Sequence, residues 1–451
     1  MHTLLFKMRH YIAEENRFGR RIWAELPSSI VTTAAYLENK GFSVDVRDDE
    51  FYQDSAFDAP DVAVGWISLA DGLYEGVDYF RAAKARGCTT VLMLFDDWEG
   101  LTEQIMHDFP FIDYAIRRWD VETTLGNLLQ QLQNDGPAAD ADMSGIVHRR
   151  NGEVIDPGEA IHHAGNLNHL VSARKWIEKL DPSSYDEFSV RVGSGCPFKC
   201  TFCHIGNRPN RYRQLEAVLD ELEALPKGAF VRVLSADLPQ DVEWVEKFCK
   251  GIIERGIDIR WETDTRFTWL KDVEYLKLMR ASGCIELAMG LESYHPDMLN
   301  AYKKGYKPEL IGQGIANLIE ADIIPALNMM IGHPRETIES LQYTEEFLLH
   351  LDPKLVKLLG VQFLRPLPGT KISREAEELG LWKDQSSYRE FVFSRDAPVI
   401  DTLTMTRDEI IYWRDRLNKA YDTPPPATAE GKAAQEARQA TGGARALAYS
   451  A

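Results

Sequence analysis

Short apolar runs alternate with stretches of helical period along most of this chain. Before residue 135 the runs are HTLLFKM (2–8), SVDVRDD (43–49), DVAVGWIS (61–68), TTVLMLF (89–95) and YAIRR (114–118), and amphipathic patterns lie between them at 29–40, 74–86 and 121–132. Strand-length runs separated by helices predict βα units, so residues 1–135 are expected to form a doubly wound, mostly parallel Rossmann-type sheet. The polar stretch QNDGPAADADMSG reads as a linker, and GIVHRRNGEVIDPG carries an Asn-Gly between extended halves, which predicts a hairpin; 136–187 is expected to join two domains.

A second rhythm starts at Phe188. Its strands are FSVRV (188–192), AFVRVLS (229–235), DIRWETD (258–264), IELAMG (285–290), IPALNMMIG (324–332) and LVKLLGVQFL (355–364). Helical patterns at 214–225, 242–255, 273–282, 308–320 and 337–351 separate them. Right-handed crossovers curl such units into a (βα)6 partial barrel over 188–370, with chemistry at the carboxyl ends of its strands. Polar residues follow each run: Ser235 and Asp237, Asp264 and Arg266, Glu292 and Ser293, Gly332 and Glu336, then Arg365. A helical region at 371–422 and a Pro- and Ala-rich, disordered tail at 423–451 complete the expected order.

Composition narrows the function. Lys plus Arg number 51 against 70 Asp plus Glu, a formal charge of −19, which repels phosphate backbones and speaks against nucleic acid as a partner. No apolar run approaches the roughly 20 residues that span a bilayer, and MHTLLFKMRHYIAEEN turns polar too soon for a signal peptide. The expectation is a cytoplasmic protein without a membrane partner.

Three of the six cysteines crowd into GCPFKCTFCH, at Cys196, Cys200 and Cys203. Spaced C-x3-C-x2-C, they can hold three irons of a [4Fe-4S] cube and leave the fourth open to chelate a ligand. C-x-x-C-H is also the haem-attachment pattern, but that attachment follows export. A structural zinc on the cysteines and His204 has the ligand count, yet such sites usually join two distant ligand pairs. Three unmetallated thiols would leave reactive groups at a barrel mouth.

This loop, on the first strand of a (βα)6 pattern and with Phe202 before its last cysteine, resembles the signature of radical S-adenosylmethionine (SAM) enzymes. The likeness continues through RYRQLEAVLDELEAL, LESYHPDMLNAYKKG, MMIGHPRETIESLQYTEEFL and FLRPLPGTKISREAEELGLW. It implies that Cys196, Cys200 and Cys203 hold a [4Fe-4S] cluster and that SAM, cleaved reductively, yields a radical that abstracts a substrate hydrogen. It implies a flavodoxin- or ferredoxin-type electron donor. By position, Phe202 and Gly332 would line the adenine, and Glu292 and Ser293 the ribose or methionyl end. Ser235 and Asp237 would meet the amino group, and Arg266 the carboxylate. Asp264, His204, Glu292 and Arg365 are catalytic candidates, with Arg211, Arg213 and His333 also on the substrate side.

The subgroup implied carries an N-terminal cobalamin-binding-like domain. Here D-x-H-x-x-G is absent, and Phe95, Asp96, Asp97 and Trp98 stand where glycines usually admit the nucleotide tail. Bound cobalamin is therefore not expected. Without it, the resemblance narrows to radical 1,2-diol dehydration of an aminoglycoside, with Asp237, Asp264 and Glu292 able to hold amino-sugar ammonium groups. The alternative is cobalamin-dependent radical methyl transfer.

Overall fold

The computed structural model describes residues 1–7, 26–48, 60–67, 73–94, 99–117, 120–134, 143–158, 165–382 and 397–422. The first unit runs β1 (His2–Lys7), α1 (Ser28–Asn39), β2 (Ser43–Asp48), β3 (Val62–Ile67), α2 (Leu73–Ala85) and β4 (Thr89–Leu94). It continues through α3 (Leu101–Asp108), β5 (Tyr114–Ile116) and α4 (Val121–Asn134). The strands pair in parallel in the order β2-β1-β3-β4-β5. Five of the six residues of β4 are buried, as expected of a parallel strand covered by helices on both faces. A Cβ on Gly65 would stand 2.5 Å from the Phe80 ring and 2.7 Å from that of Phe6, so only glycine lets that edge-on aromatic pair close over β3.

β6 (Ile146–Arg150) and β7 (Glu153–Ile155) form a hairpin whose corner, Asn151-Gly152, has φ of +52° and +88°. Two successive positive φ values make the tight turn that matches strand twist. The hairpin is more than a junction: β6 pairs antiparallel with β5 and extends the first sheet to seven strands. A two-stranded hairpin is marginal alone, and here it covers an edge of the sheet.

After α5 (Arg174–Lys179) come β8 (Phe188–Arg191), β9 (Gly193–Ser194), β10 (Arg211–Tyr212), α6 (Leu215–Glu223), β11 (Ala229–Leu234) and α7 (Val242–Arg255). Then follow β12 (Ile259–Thr265), α8 (Val273–Ala281), β13 (Cys284–Glu292), α9 (Pro296–Ala301), α10 (Pro308–Glu320) and β14 (Ile324–Ile331). The last elements are α11 (Ile338–Leu349), β15 (Lys357–Phe363), α12 (Lys371–Glu378) and α13 (Arg407–Asp422). Strands β8, β11, β12, β13, β14 and β15 pair in parallel and in sequence order, with the two outer strands left unjoined. This is the open (βα)6 sheet expected from the rhythm.

Alternation along β12 buries Ile259, Trp261, Thr263 and Thr265 and leaves Arg260, Glu262 and Asp264 more open. Trp261 packs edge-on to Phe248 of α7, so the buried set faces the helices and the even-numbered set the lumen. Both edges are covered. The Ser28 hydroxyl of α1 meets Ser189 of β8 at 2.9 Å, and Asn418 of α13 accepts the Val361 N–H of β15 at 3.1 Å. Among the described residues no helix is long and apolar enough to cross a membrane. The tail at 423–451 lies outside the described residues.

Candidate active site at the carboxyl ends of the second sheet

β9 pairs antiparallel with β10, clipping together the ends of a loop that spans 195–210 and carries the three clustered cysteines. Inside it, Cys203 N–H donates to the Cys200 carbonyl at 3.2 Å, Arg208 N–H to Cys196 at 2.9 Å and Asn207 N–H to Phe198 at 2.7 Å. Gly195 has φ of +93°, and a Cβ there would fall 2.1 Å from the Pro209 carbonyl oxygen. No side chain fits. The thiols are free. Burial pushes Cys196 up to about 11 and raises Cys203, so a metal binding here must displace protons.

Arg266, one residue beyond β12, points its Nη1 at Cys200 Sγ, 3.3 Å away, and its Nη2 donates to the Lys304 carbonyl. Its guanidinium carbon lies 3.8 Å from the Phe198 ring centroid, a cation–π contact. Lys304 itself is buried, with Nζ 2.9 Å from Glu292 Oε1. Burial is the largest single influence and works against that ammonium charge, but Glu292 together with Tyr306 and Cys200 holds the Lys304 pKa above the usual lysine value. Glu292, the last residue of β13, has φ of +62°, and the β13–β14 register shifts between Gly290 and Glu292. A carboxylate in the left-handed region at a strand end is the strained geometry typical of functional sites.

The other expected residues sort into three groups. Phe202 stands edge-on to Tyr302 at 5.7 Å, beside the cysteines. Ser235 has a buried hydroxyl with no hydrogen-bond partner among the described residues, and Asp237 is buried with both carboxylate oxygens near Trp269 Nε1, at 3.1 and 3.0 Å. Burial, tempered by that tryptophan, pushes Asp237 up to about 6. Gly332 has φ of +100° and donates its N–H to Glu336 Oε2 at 2.6 Å. The second Glu336 oxygen is buried without a partner among the described residues, and burial pushes its carboxyl up to about 7. His333 is buried rather than a solvated loop residue: its Nδ1 accepts from Arg335 N–H at 3.0 Å, and burial pushes it down to about 4.

Four residues are engaged elsewhere. Asp264 lies inside β12 rather than beyond it, with its exposed carboxylate 3.3 Å from Arg232 across the sheet. Arg213 is buried and ties Glu221, at 2.8 and 2.5 Å, to the carbonyls of Arg191 and Val171, a structural post. Arg211 pairs with Asp120 at the junction with the first unit, 2.8 Å away. The Ser293 hydroxyl shares a hydrogen bond with Thr344 of α11 and accepts the His295 N–H, both at 3.2 Å, which turns it to the helix layer. His204 is half-buried beside Cys203, and the Arg365 carbonyl accepts from Leu367 N–H at 2.9 Å in the turn after β15. Lys304, Tyr302 and Trp269 went unforeseen. Lys304 sits within the stretch LESYHPDMLNAYKKG, but nothing local tells which lysine there turns inward.

Do these residues fit a cluster? Among the described residues no three His, Cys, Asp or Glu side chains converge as on one metal ion. A cube with one cysteine per iron does not require that convergence. Three free thiols on a loop tied by its own backbone hydrogen bonds, with a guanidinium aimed at one sulfur, suit an anionic iron–sulfur group.

The crevice of the first sheet lies at the carboxyl ends of β1 and β3, where strand order reverses. The loops after β1, β3 and β4, including Phe95, Asp96, Asp97 and Trp98, lie outside the described residues. Among the described residues two buried ion pairs join the two units: Arg191 to Glu122 at 2.6 Å, and the Arg211–Asp120 pair.

Residues 190–348 match the Radical SAM superfamily. Individual relatives follow. The chain is 26% identical over 325 residues to the anaerobic magnesium-protoporphyrin IX monomethyl ester cyclase of Cereibacter sphaeroides, covering 68% of this chain and 51% of that protein. It therefore spans about half the length of that relative. A cyclase of the same name from Rubrivivax gelatinosus is 24% identical over 427 residues, covering 88% of this chain and 74% of the relative.

Among solved structures, the radical SAM methyltransferase TsrM from Kitasatospora setae, with cobalamin and a [4Fe-4S] cluster bound, superposes with a TM-score of 0.67 at 17% identity. That match covers 92% of this chain and 81% of TsrM. The cobalamin-dependent radical enzyme OxsB gives 0.71 at 14% identity, over 93% of this chain and 66% of OxsB. These likenesses concern the fold, which includes the N-terminal sheet. Both neighbours carry cobalamin, which runs against the expectation of a chain without it.

Proposed function

We propose that this chain is a radical SAM enzyme that acts on a small polar substrate at the mouth of the (βα)6 sheet. The observation that carries the reading is the clipped loop with three free thiols, one of them facing Arg266. A cluster on Cys196, Cys200 and Cys203 would supply an electron to SAM and so a radical able to abstract hydrogen. The chain's own residues then do the rest. Phe198, Phe202 and Tyr302 exclude water beside the cluster, and Ser235 and Asp237 offer a hydroxyl and a carboxylate toward an ammonium group. A flavodoxin- or ferredoxin-type protein is the electron donor in this reading.

Methyl transfer through cobalamin in the N-terminal crevice is the finer reading that the relatives support best. TsrM is named a methyltransferase, and so is a Pyrococcus horikoshii relative that is 23% identical over 325 residues. Dehydration of an amino-sugar diol is the second reading, and one observation favours it. Glu262, Asp264 and Glu286 face the lumen with Arg232 and Lys357, an excess of carboxylates suited to a cationic substrate. The bulky acidic run at 95–98 points the same way.

The test uses anaerobically reconstituted protein, with and without hydroxocobalamin, incubated with SAM, a reductant and paromamine-like amino sugars. Cobalamin retained through gel filtration, with a product heavier by one methylene, supports methyl transfer. A product lighter by one water without cobalamin supports dehydration. Protein that takes up no iron and forms no 5'-deoxyadenosine or methylated product refutes both.

A further inference from the structure

Arg266 continues the lumen-facing register of β12, two positions past Asp264. Its guanidinium is buried and held on several sides. Nη2 donates to the Lys304 carbonyl, Phe198 lies under the plane at 3.8 Å and Tyr306 stands at 5.4 Å. Nη1 is 3.3 Å from Cys200 Sγ. A buried cation needs an anion, because desolvation costs several kcal/mol unless it is paired. The nearby carboxylate of Glu292 already holds the second buried cation, Lys304, and Asp237 holds Trp269. A neutral thiol is a weak acceptor, whereas a metal-bound thiolate is a strong one. The arrangement makes sense when Cys200 is an anionic ligand.

We propose that Arg266, backed by Lys304, sets the reduction potential of the cluster by hydrogen-bonding the Cys200 sulfur and placing positive charge beside it. Net charge and hydrogen bonds to sulfur are among the factors that set iron–sulfur potentials. The reduced cluster carries one more negative charge, so it gains more from the guanidinium than the oxidised one. This role differs from pairing with the SAM carboxylate, which the sequence position suggests. Arg266 Nε is buried without a hydrogen-bond partner among the described residues. The inference rests on the cluster reading above.

The experiment compares wild type, Arg266→Gln and Arg266→Lys after anaerobic reconstitution. Iron and sulfide content are measured first, then the midpoint potential by spectroelectrochemical titration without SAM, then SAM affinity by fluorescence quenching. The expected result is a more negative potential in Arg266→Gln at wild-type iron content, with Arg266→Lys shifted the same way but less. An unchanged potential with weakened SAM binding overturns the proposal and returns Arg266 to the carboxylate. Should Arg266→Gln hold no iron, Arg266→Lys decides: it keeps the charge but not the fork, so a modest negative shift supports the proposal, and an unaltered potential overturns it. Wild-type protein without iron would instead refute the cluster itself.

Discussion

Removing Arg191 tests how the two units are held together. Its Nη2 lies 2.6 Å from Glu122 Oε1, and the two side chains are 8% and 2% exposed. Two such charges at about 4 Å attract by about 4 kcal/mol in an effective dielectric of about 20, and burial removes most of the water that could replace either partner. Arg191→Met therefore strands the Glu122 carboxylate, at a cost of about 3–5 kcal/mol. Replacing both, Arg191→Met with Glu122→Leu, removes the stranded charge and recovers most of that loss. Urea unfolding of the metal-free protein under reductant, followed by tryptophan fluorescence, measures wild type and both variants. Arg191 also lies five residues before Cys196, so the single variant is expected to take up less iron. A single-variant cost below about 1 kcal/mol, the value of an exposed pair, would refute the reasoning. So would a double variant as unstable as the single one.

Other outcomes follow from the same geometry. Glu336 keeps its proton in the folded chain up to about pH 7 and releases it near 4.5 when unfolded. Stability should therefore fall as pH rises between those values, by about 3 kcal/mol at about 1.4 kcal/mol per unit, and level off above. Glu336→Gln should lose that slope, and parallel pH profiles for variant and wild type would contradict it. Gly195→Ala must move the Pro209 carbonyl, since the new Cβ would fall 2.1 Å from its oxygen; iron uptake per chain should drop severely, and a fully loaded variant would sink the argument. Alanine at any of Cys196, Cys200 or Cys203 should reduce or abolish the cluster's visible absorption. Asp264→Asn breaks only an exposed pair with Arg232 and should change stability by no more than about 1 kcal/mol in a urea titration.

Much of this protein could be read from local pattern. Period-2 runs and helical spacing are set by which residues must leave water, so they showed two βα rhythms and the strand ends at which polar residues gather. Three cysteines in eight positions needed only chain geometry to share one loop, and Asn151-Gly152 needed only its own positive φ values to turn. The pairings of buried charge were decided by the tertiary structure. Lys304 reaches the cysteine loop from 104 positions beyond Cys200, and Arg191 meets Glu122 from 69 positions away. Arg213 looked like a substrate contact until Glu221 enclosed it, and Asp264 looked like a strand-end residue until β12 ran past it. Alternation along a strand names a face, not a partner. Desolvation makes each buried charge choose its counter-charge from whatever the whole fold brings near, so those choices exist only once the chain has closed.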